Sequence, residues 1–196
     1  MGRPRQVSDE DILAIARRCF LEQGPSVSTV TIAEQVGLSQ AALFKRFGTK
    51  QDLMFQALLP PALPDWIAAV ERGVDERPLE VQLRDLAGQM MDFFNDYIPR
   101  ISTLKAANVD VGEVFKRYEV PPPMRARAGF IRWLREAEER GLIRPIDHAS
   151  MAEALIGGLQ GHVFLSHIIG RATDDDAFLE SWLDLVLRGL LPGESA

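Results

Sequence analysis

Between Thr29 and Lys50 the chain spaces a threonine, a glutamine, two alanines, a phenylalanine and three cations in a way that suits contact with a nucleic-acid duplex. The planar amide of Gln40 can pair through two hydrogen bonds with the edge of an adenine, and small groups such as Ala41 and Ala42 can lie against a thymine methyl. Thr29 and Lys50 are placed for phosphate contacts, which orient a protein on the duplex without carrying sequence information. These roles require a helix after Ser39 with Leu43 and Phe47, four apart, turned inward. Gln40, Ala41, Phe44 and Lys45 then occupy its free face, and Arg46 stands at its C-terminal edge.

Two short helices are needed to hold those groups. One is expected from about Val30 to Val36, stopped by Gly37, and the second from after Ser39 to about Arg46; a short glycine-containing turn between them makes a helix-turn-helix. Ile32, Ala33, Val36 and Leu38 give the first its buried face. Ser8 to Asp11 has a capping-box pattern that opens a preceding helix bearing Ile12, Ile15, Ala16, Cys19 and Phe20, closed by Gly24-Pro25. Thr49 and Asp52 form a second such box, and the helix from Lys50 is expected to end or kink at Pro60-Pro61. Beyond it the apolar residues keep helical spacing and no sustained period-2 alternation occurs, so the fold class is all-α. The spacing predicts a long helix from Pro78 that Pro99 interrupts, one from about Met124 to Arg140 after Val120-Pro121-Pro122-Pro123, and two more over roughly 147–169 and 174–189.

The stretch T29-V-T-I-A-E-Q-V-G-L-S-Q-A-A-L-F-K-R-F-G-T-K-Q-D-L53 resembles the DNA-binding signature of the tetracycline-repressor (TetR) family. It departs from that pattern in having Ala41 in place of the usual glycine, Phe44 in place of tyrosine, and Arg46 where His or Tyr is usual. Losing the tyrosine hydroxyl removes one phosphate contact that Arg46 can replace. The resemblance implies that Thr29, Gln40, Ala41, Phe44, Arg46 and Lys50 contact a double-stranded operator, and that members pair through their last two helices. After Leu53 the resemblance rests on length, helicity and the closing L-R-G-L-L-P.

Charge agrees with a division of labour. The 196 residues carry a net charge of −6, yet residues 1–50 hold seven Lys/Arg against five acids, a balance of +2 that leaves −8 for the remainder. An acidic body with a small basic module is the asymmetry expected when one end alone meets phosphate, chance being the alternative since a balance of +2 is small. Arg3 and Arg5 precede the first helix as an arm that can enter a narrow minor groove, the alternative being a basic terminus that touches nothing. The domains are accordingly drawn as 1–53, DNA-binding, and 54–196, effector-binding and dimerising. The single Cys19 fits a buried thiol in a reducing, cytoplasmic setting, and the N-terminal residues lack the apolar core of a secretory leader. No membrane span is expected, since the charge-free stretch Ala154–Gly170 has 17 residues and includes polar groups.

In the body, Ala154, Gly157, Gly158 and Gly161 lie on one helix face, where glycine's cost calls for the compensation of close helix approach. Phe178, Trp182 and Leu185 belong to a last helix apolar around most of its circumference, as expected if one side meets a second subunit; burial within a monomer is the alternative. Trp66, Met90, Met91, Phe93, Phe94, Phe130, Trp133, His162, Phe164 and His167 are candidates for an effector cavity as a set, although any one of them taken singly is better read as plain core. His162 and His167 are five apart, not the i, i+4 spacing of a helical zinc pair, so no metal and no cofactor are assigned. No phosphate-binding loop, dinucleotide glycine motif or nucleophile elbow occurs, which gives an enzyme no support. The sequence therefore reads as a homodimeric, effector-responsive regulator, expected to be a repressor, that binds a palindromic operator and is released by a small, largely apolar molecule. The rival readings are a helical small-molecule-binding or interaction protein whose helix-turn-helix only packs, and an all-helical enzyme with an unrecognised site.

Overall fold

A hydroxyl or carboxylate stands ready at most helix starts, and the backbone uses it. In the computed structural model, which describes residues 7–59, 63–110, 112, 115–116, 118–170 and 174–191, nine α-helices and no strand are found among the described residues. They are α1 (Asp9–Gln23), α2 (Thr29–Val36), α3 (Gln40–Phe47), α4 (Lys50–Leu58), α5 (Asp65–Glu71), α6 (Leu79–Ala106), α7 (Pro122–Glu139), α8 (His148–Ile169) and α9 (Asp175–Leu190). Ser8, Ser28, Ser39, Thr49, Asp147 and Asp174 each accept a backbone N–H of the first turn they precede. Such a cap satisfies a donor that the helix itself cannot, and is typically worth about 1 kcal/mol. At Thr49 the capping box is complete, because Asp52 Oδ2 accepts the Thr49 N–H at 2.9 Å in return.

Two expectations about proline need correction. Pro99 does not interrupt its helix: α6 runs through it to Ala106. A proline removes one amide donor and crowds the carbonyl four residues before it, and here Phe94 and Ile98 before it and Leu104 after it are all buried, so packing offsets the local cost. Thr103 Oγ1 also donates to the Pro99 carbonyl at 2.9 Å. Helix α7 starts at Pro122 rather than near Met124, with prolines in its first turn, where the missing N–H would have had no helical partner.

The helices fall into two compact units. One gathers α1–α4 with the end of α6 from Pro99. Its core holds Ile12, Ala16, Cys19 and Phe20 of α1 against Ile32, Leu43, Phe47, Leu53 and Leu58, and Arg17 Nε donates to the Ala57 carbonyl at 2.8 Å, joining α1 to α4. Burial pushes the Cys19 thiol above its usual range. The other unit gathers α5, α6 up to Ile98, and α7–α9, around a buried cluster that includes Trp66, Leu83, Met90, Phe94, Phe130, Trp133, Leu155 and Leu183. The residue-53 boundary drawn from the sequence falls inside α4, which is a single helix to Leu58. No helix among the described residues is long and apolar enough to cross a membrane.

Candidate nucleic-acid interface

The turn between α2 and α3 is built by Gly37. Its left-handed backbone (φ 77°, ψ 30°) lets its own N–H reach the Glu34 carbonyl at 3.1 Å and the Leu38 N–H reach the Ala33 carbonyl at 2.9 Å, a bend that a side chain would strain. Ser39 then caps α3, and Leu43 and Phe47 are buried against the unit's core as the spacing predicts. That leaves Gln40, Ala41, Lys45 and Arg46 exposed and Phe44 half-buried.

Gln40 and Thr29 are brought together. Thr29 opens α2 directly after its cap Ser28 and is 8% exposed, and its Oγ1 accepts a 2.7 Å hydrogen bond from Gln40 Nε2. The second Nε2 hydrogen and Oε1 stay outside this bond, so the amide is held in one orientation with a donor and an acceptor still available. Thr29, expected as a phosphate contact, has its hydroxyl engaged inside the motif.

The cations differ from one another. Lys45 is exposed and Lys50, at the start of α4, is half-buried, and neither makes an ion pair among the described residues. Arg46 is tied back: Nη1 donates to the Val7 carbonyl at 2.8 Å and Nη2 lies 2.7 Å from Asp9 Oδ1. Asp9 belongs to the acidic first turn of α1, which supplies the nearest compensating charge. Sequence reasoning missed this tie because its partners lie 37 and 39 residues away. The Thr49 hydrogen bonds hold the exposed Asp52 carboxyl below its ordinary range. Arg3 and Arg5 lie outside the described residues.

In the second unit Trp66, Met90, Phe94, Phe130 and Trp133 are all at most 5% exposed. Trp66 has Phe94 and Phe130 at ring-centroid distances of 6.3 and 6.2 Å. Trp133 lines a cleft of about 210 Å³ with Arg72, Asp75, Arg77 and Gln82, a polar surface rather than an apolar cavity. His162 is engaged elsewhere than with these rings: it stacks on Phe178 at 3.7 Å, and its Nε2 lies 3.0 Å from Asp175 Oδ1. Phe164, a further candidate lining residue, is 46% exposed on α8.

The small-residue strip of α8 is divided in use. A Cβ on Gly158 would sit 2.7 Å from Trp182 Nε1, so this glycine admits the α9 indole of the same chain, whereas Gly157 and Gly161 face open space. Beyond them α8 exposes Phe164, Leu165, Ile168 and Ile169, and α9 exposes Leu185 at 71%. Phe178 and Trp182 are half-buried within the chain. Among the described residues no group of three or more His, Cys, Asp or Glu is gathered as a metal site.

Residues 12–57 match the family of bacterial regulatory proteins, tetR family. The chain is similar to nucleoid occlusion factor SlmA of Aliivibrio fischeri (strain MJ11), with 27% identity over 175 residues that span 82% of this chain and 85% of that protein. Among solved structures it is similar to the TetR family transcriptional regulator PfmR from Thermus thermophilus, at 24% identity and TM-score 0.67 over 94% of this chain and 99% of that one. The SmeT–triclosan complex is similar at 20% identity and TM-score 0.69, over 96% and 94% of the two chains.

Proposed function

Because the chain belongs to the tetR family of bacterial regulatory proteins and carries its DNA-binding helix-turn-helix, we propose that it is a ligand-responsive repressor that binds a palindromic operator as a homodimer and is released by a small, largely apolar effector. The observation that carries this reading is the Gln40 amide, oriented by Thr29 at the exposed N-terminal end of α3, the part of a recognition helix that enters the major groove. Gln40 reads a base, Ala41 and Phe44 add apolar contact beside it, and Lys45 and Lys50 neutralise phosphates. Arg46, in the last turn of α3, braces the start of α1 and is assigned to the nucleic-acid backbone as well. Arg3 and Arg5 are assigned to the flanking minor groove.

Pairing of two copies is supported by the exposed apolar row of α8 and by Leu185 of α9, surfaces that a lone chain would leave in water. Gly157 and Gly161, open in the single chain, would allow a second backbone to come close. An apolar effector is supported by the aromatic composition of the second unit's core and by the triclosan complex of a structurally similar protein. Regulation rather than catalysis is the work of the family.

Anisotropy titration of a labelled random-sequence duplex over a range of salt tests the DNA role. Neutralised phosphates release counterions, so log K should fall linearly with log salt. A helix-turn-helix that serves only to pack would bind no duplex at any salt.

A further inference from the structure

Trp133 of α7 is 1% exposed, and it lines the cleft of about 210 Å³ that the end of α5, the loop after it and one face of α6 enclose within the second unit. Its indole N–H makes no hydrogen bond among the described residues, yet it is not closed off from solvent as the Trp66 N–H is. A buried indole donor ordinarily finds an acceptor, and this one opens on the cleft instead.

The cleft is held in shape by its own walls. Gln82, 3% exposed on α6, accepts the Asp75 N–H at 2.9 Å and donates to the Asp75 and Arg77 carbonyls at 3.1 and 2.6 Å, which fixes the loop to α6. The Val74 N–H donates to Glu136 Oε2 at 3.1 Å, tying the same loop to α7 one turn beyond Trp133. Charge in the wall is unequally used. Arg77 engages both acids, its Nε and Nη2 donating to Asp75 and its Nη1 to Asp85. Arg72 has neither as a partner, and its guanidinium makes no ion pair or hydrogen bond among the described residues. The polar side chains of the wall left without a partner are therefore Trp133 and Arg72, which only donate, and Gln89, which can do both. Ala69, Val74 and Leu86 supply an apolar side. A cavity of about 150 Å³ accepts benzene, so this cleft has room for a ring with one small substituent.

We propose that this cleft binds a small monocarboxylate with a short apolar body, its carboxylate taking the Arg72 guanidinium and the Trp133 indole N–H and its body lying against Ala69, Val74 and Leu86. A neutral molecule would leave Arg72 unpaired, and a second carboxylate would meet Asp75 and Asp85. The site is additional to the effector reading above and stands whether or not its occupant alters operator affinity.

Benzoate and benzamide are matched probes, since they share one shape and only the first is charged. In protein with nitrogen-labelled indoles, benzoate should move the Trp133 N–H resonance downfield and leave those of Trp66 and Trp182 in place. Loss of the resonance in Trp133→Phe assigns it; if that buried change prevents folding, Trp66→Phe and Trp182→Phe assign it by elimination. Titration should give benzamide about tenfold weaker binding, and Arg72→Gln, an exposed change, should weaken benzoate by about tenfold or more while sparing benzamide, as loss of a charge-assisted hydrogen bond requires. A Trp133 resonance unmoved by benzoate up to the millimolar range overturns the proposal. So does equal affinity for the two probes, or benzoate binding unchanged in Arg72→Gln.

Discussion

Gln40 Nε2 donates to Thr29 Oγ1 at 2.7 Å, which links the first residue of one short helix to the first residue of the other. The bond fixes the group that reads a base through a group that is itself buried. Thr29→Val keeps the shape and removes the acceptor, so it should leave folding intact and blur the preference for one base at the position Gln40 reads. Gln40→Ala should cost on the order of 1 to 3 kcal/mol on the preferred site and relax that position further. The double variant should fall short of the sum, because both changes strike one interaction. Additive effects in a binding cycle would show that the two residues act apart.

Lys50 and Arg46 should separate affinity from stability. Lys50→Ala removes a cation with no ion-pair partner among the described residues, so it should weaken all duplexes alike, lower the salt slope by about one and leave the melting temperature unchanged. Arg46→Ala breaks the ties to Val7 and Asp9, and should lower unfolding free energy by no more than about 1 kcal/mol, the range of a partly exposed pair. A stability loss in the first, or none in the second, contradicts these placements.

Adjacent glycines of α8 should respond in opposite ways. Gly158→Ala puts a methyl against the Trp182 indole and should destabilise by about 1 to 3 kcal/mol. Gly157→Ala meets open space in the single chain and, at dilutions where the chain is monomeric, should raise helix stability by up to about 1 kcal/mol. Urea unfolding of both variants checks this, and similar values for the two would mean that the indole yields freely.

Acid should destabilise the protein in part through Glu71. The Arg125 guanidinium hydrogen bonds hold its carboxyl below the ordinary 4.5, and Asp52 and Asp147, each bonded to its own helix start, are lowered likewise. A carboxyl depressed in the folded state contributes stability in full above its unfolded value and loses it as pH falls through the folded one. Unfolding free energy should therefore drop on acidification from about pH 4.5 downward, and Glu71→Gln should flatten part of that slope. An unchanged slope would show that the pair is fully screened.

The helix starts were legible because caps are local: Ser8, Ser39, Thr49 and Asp147 declare themselves within three residues of the groups they bind. The inward turn of Leu43 and Phe47 followed from spacing alone, and with it the outward face of α3. What was not legible depends on residues far apart in the chain. Arg46 finds Asp9, His162 finds Phe178 on the next helix, and Gly158 makes room for Trp182, none of which periodicity reveals. Pro99 shows the converse, a strong local signal overruled by burial on both sides of it.

The most direct measurement is selection of bound fragments from a random duplex pool, followed by sequencing. The account predicts a palindromic consensus, two half-sites about one helical turn apart or slightly more, with one position in each half-site that loses its preference in Gln40→Ala. Enrichment of no sequence, or of a site without two-fold symmetry whose preferences survive Gln40→Ala, would contradict it.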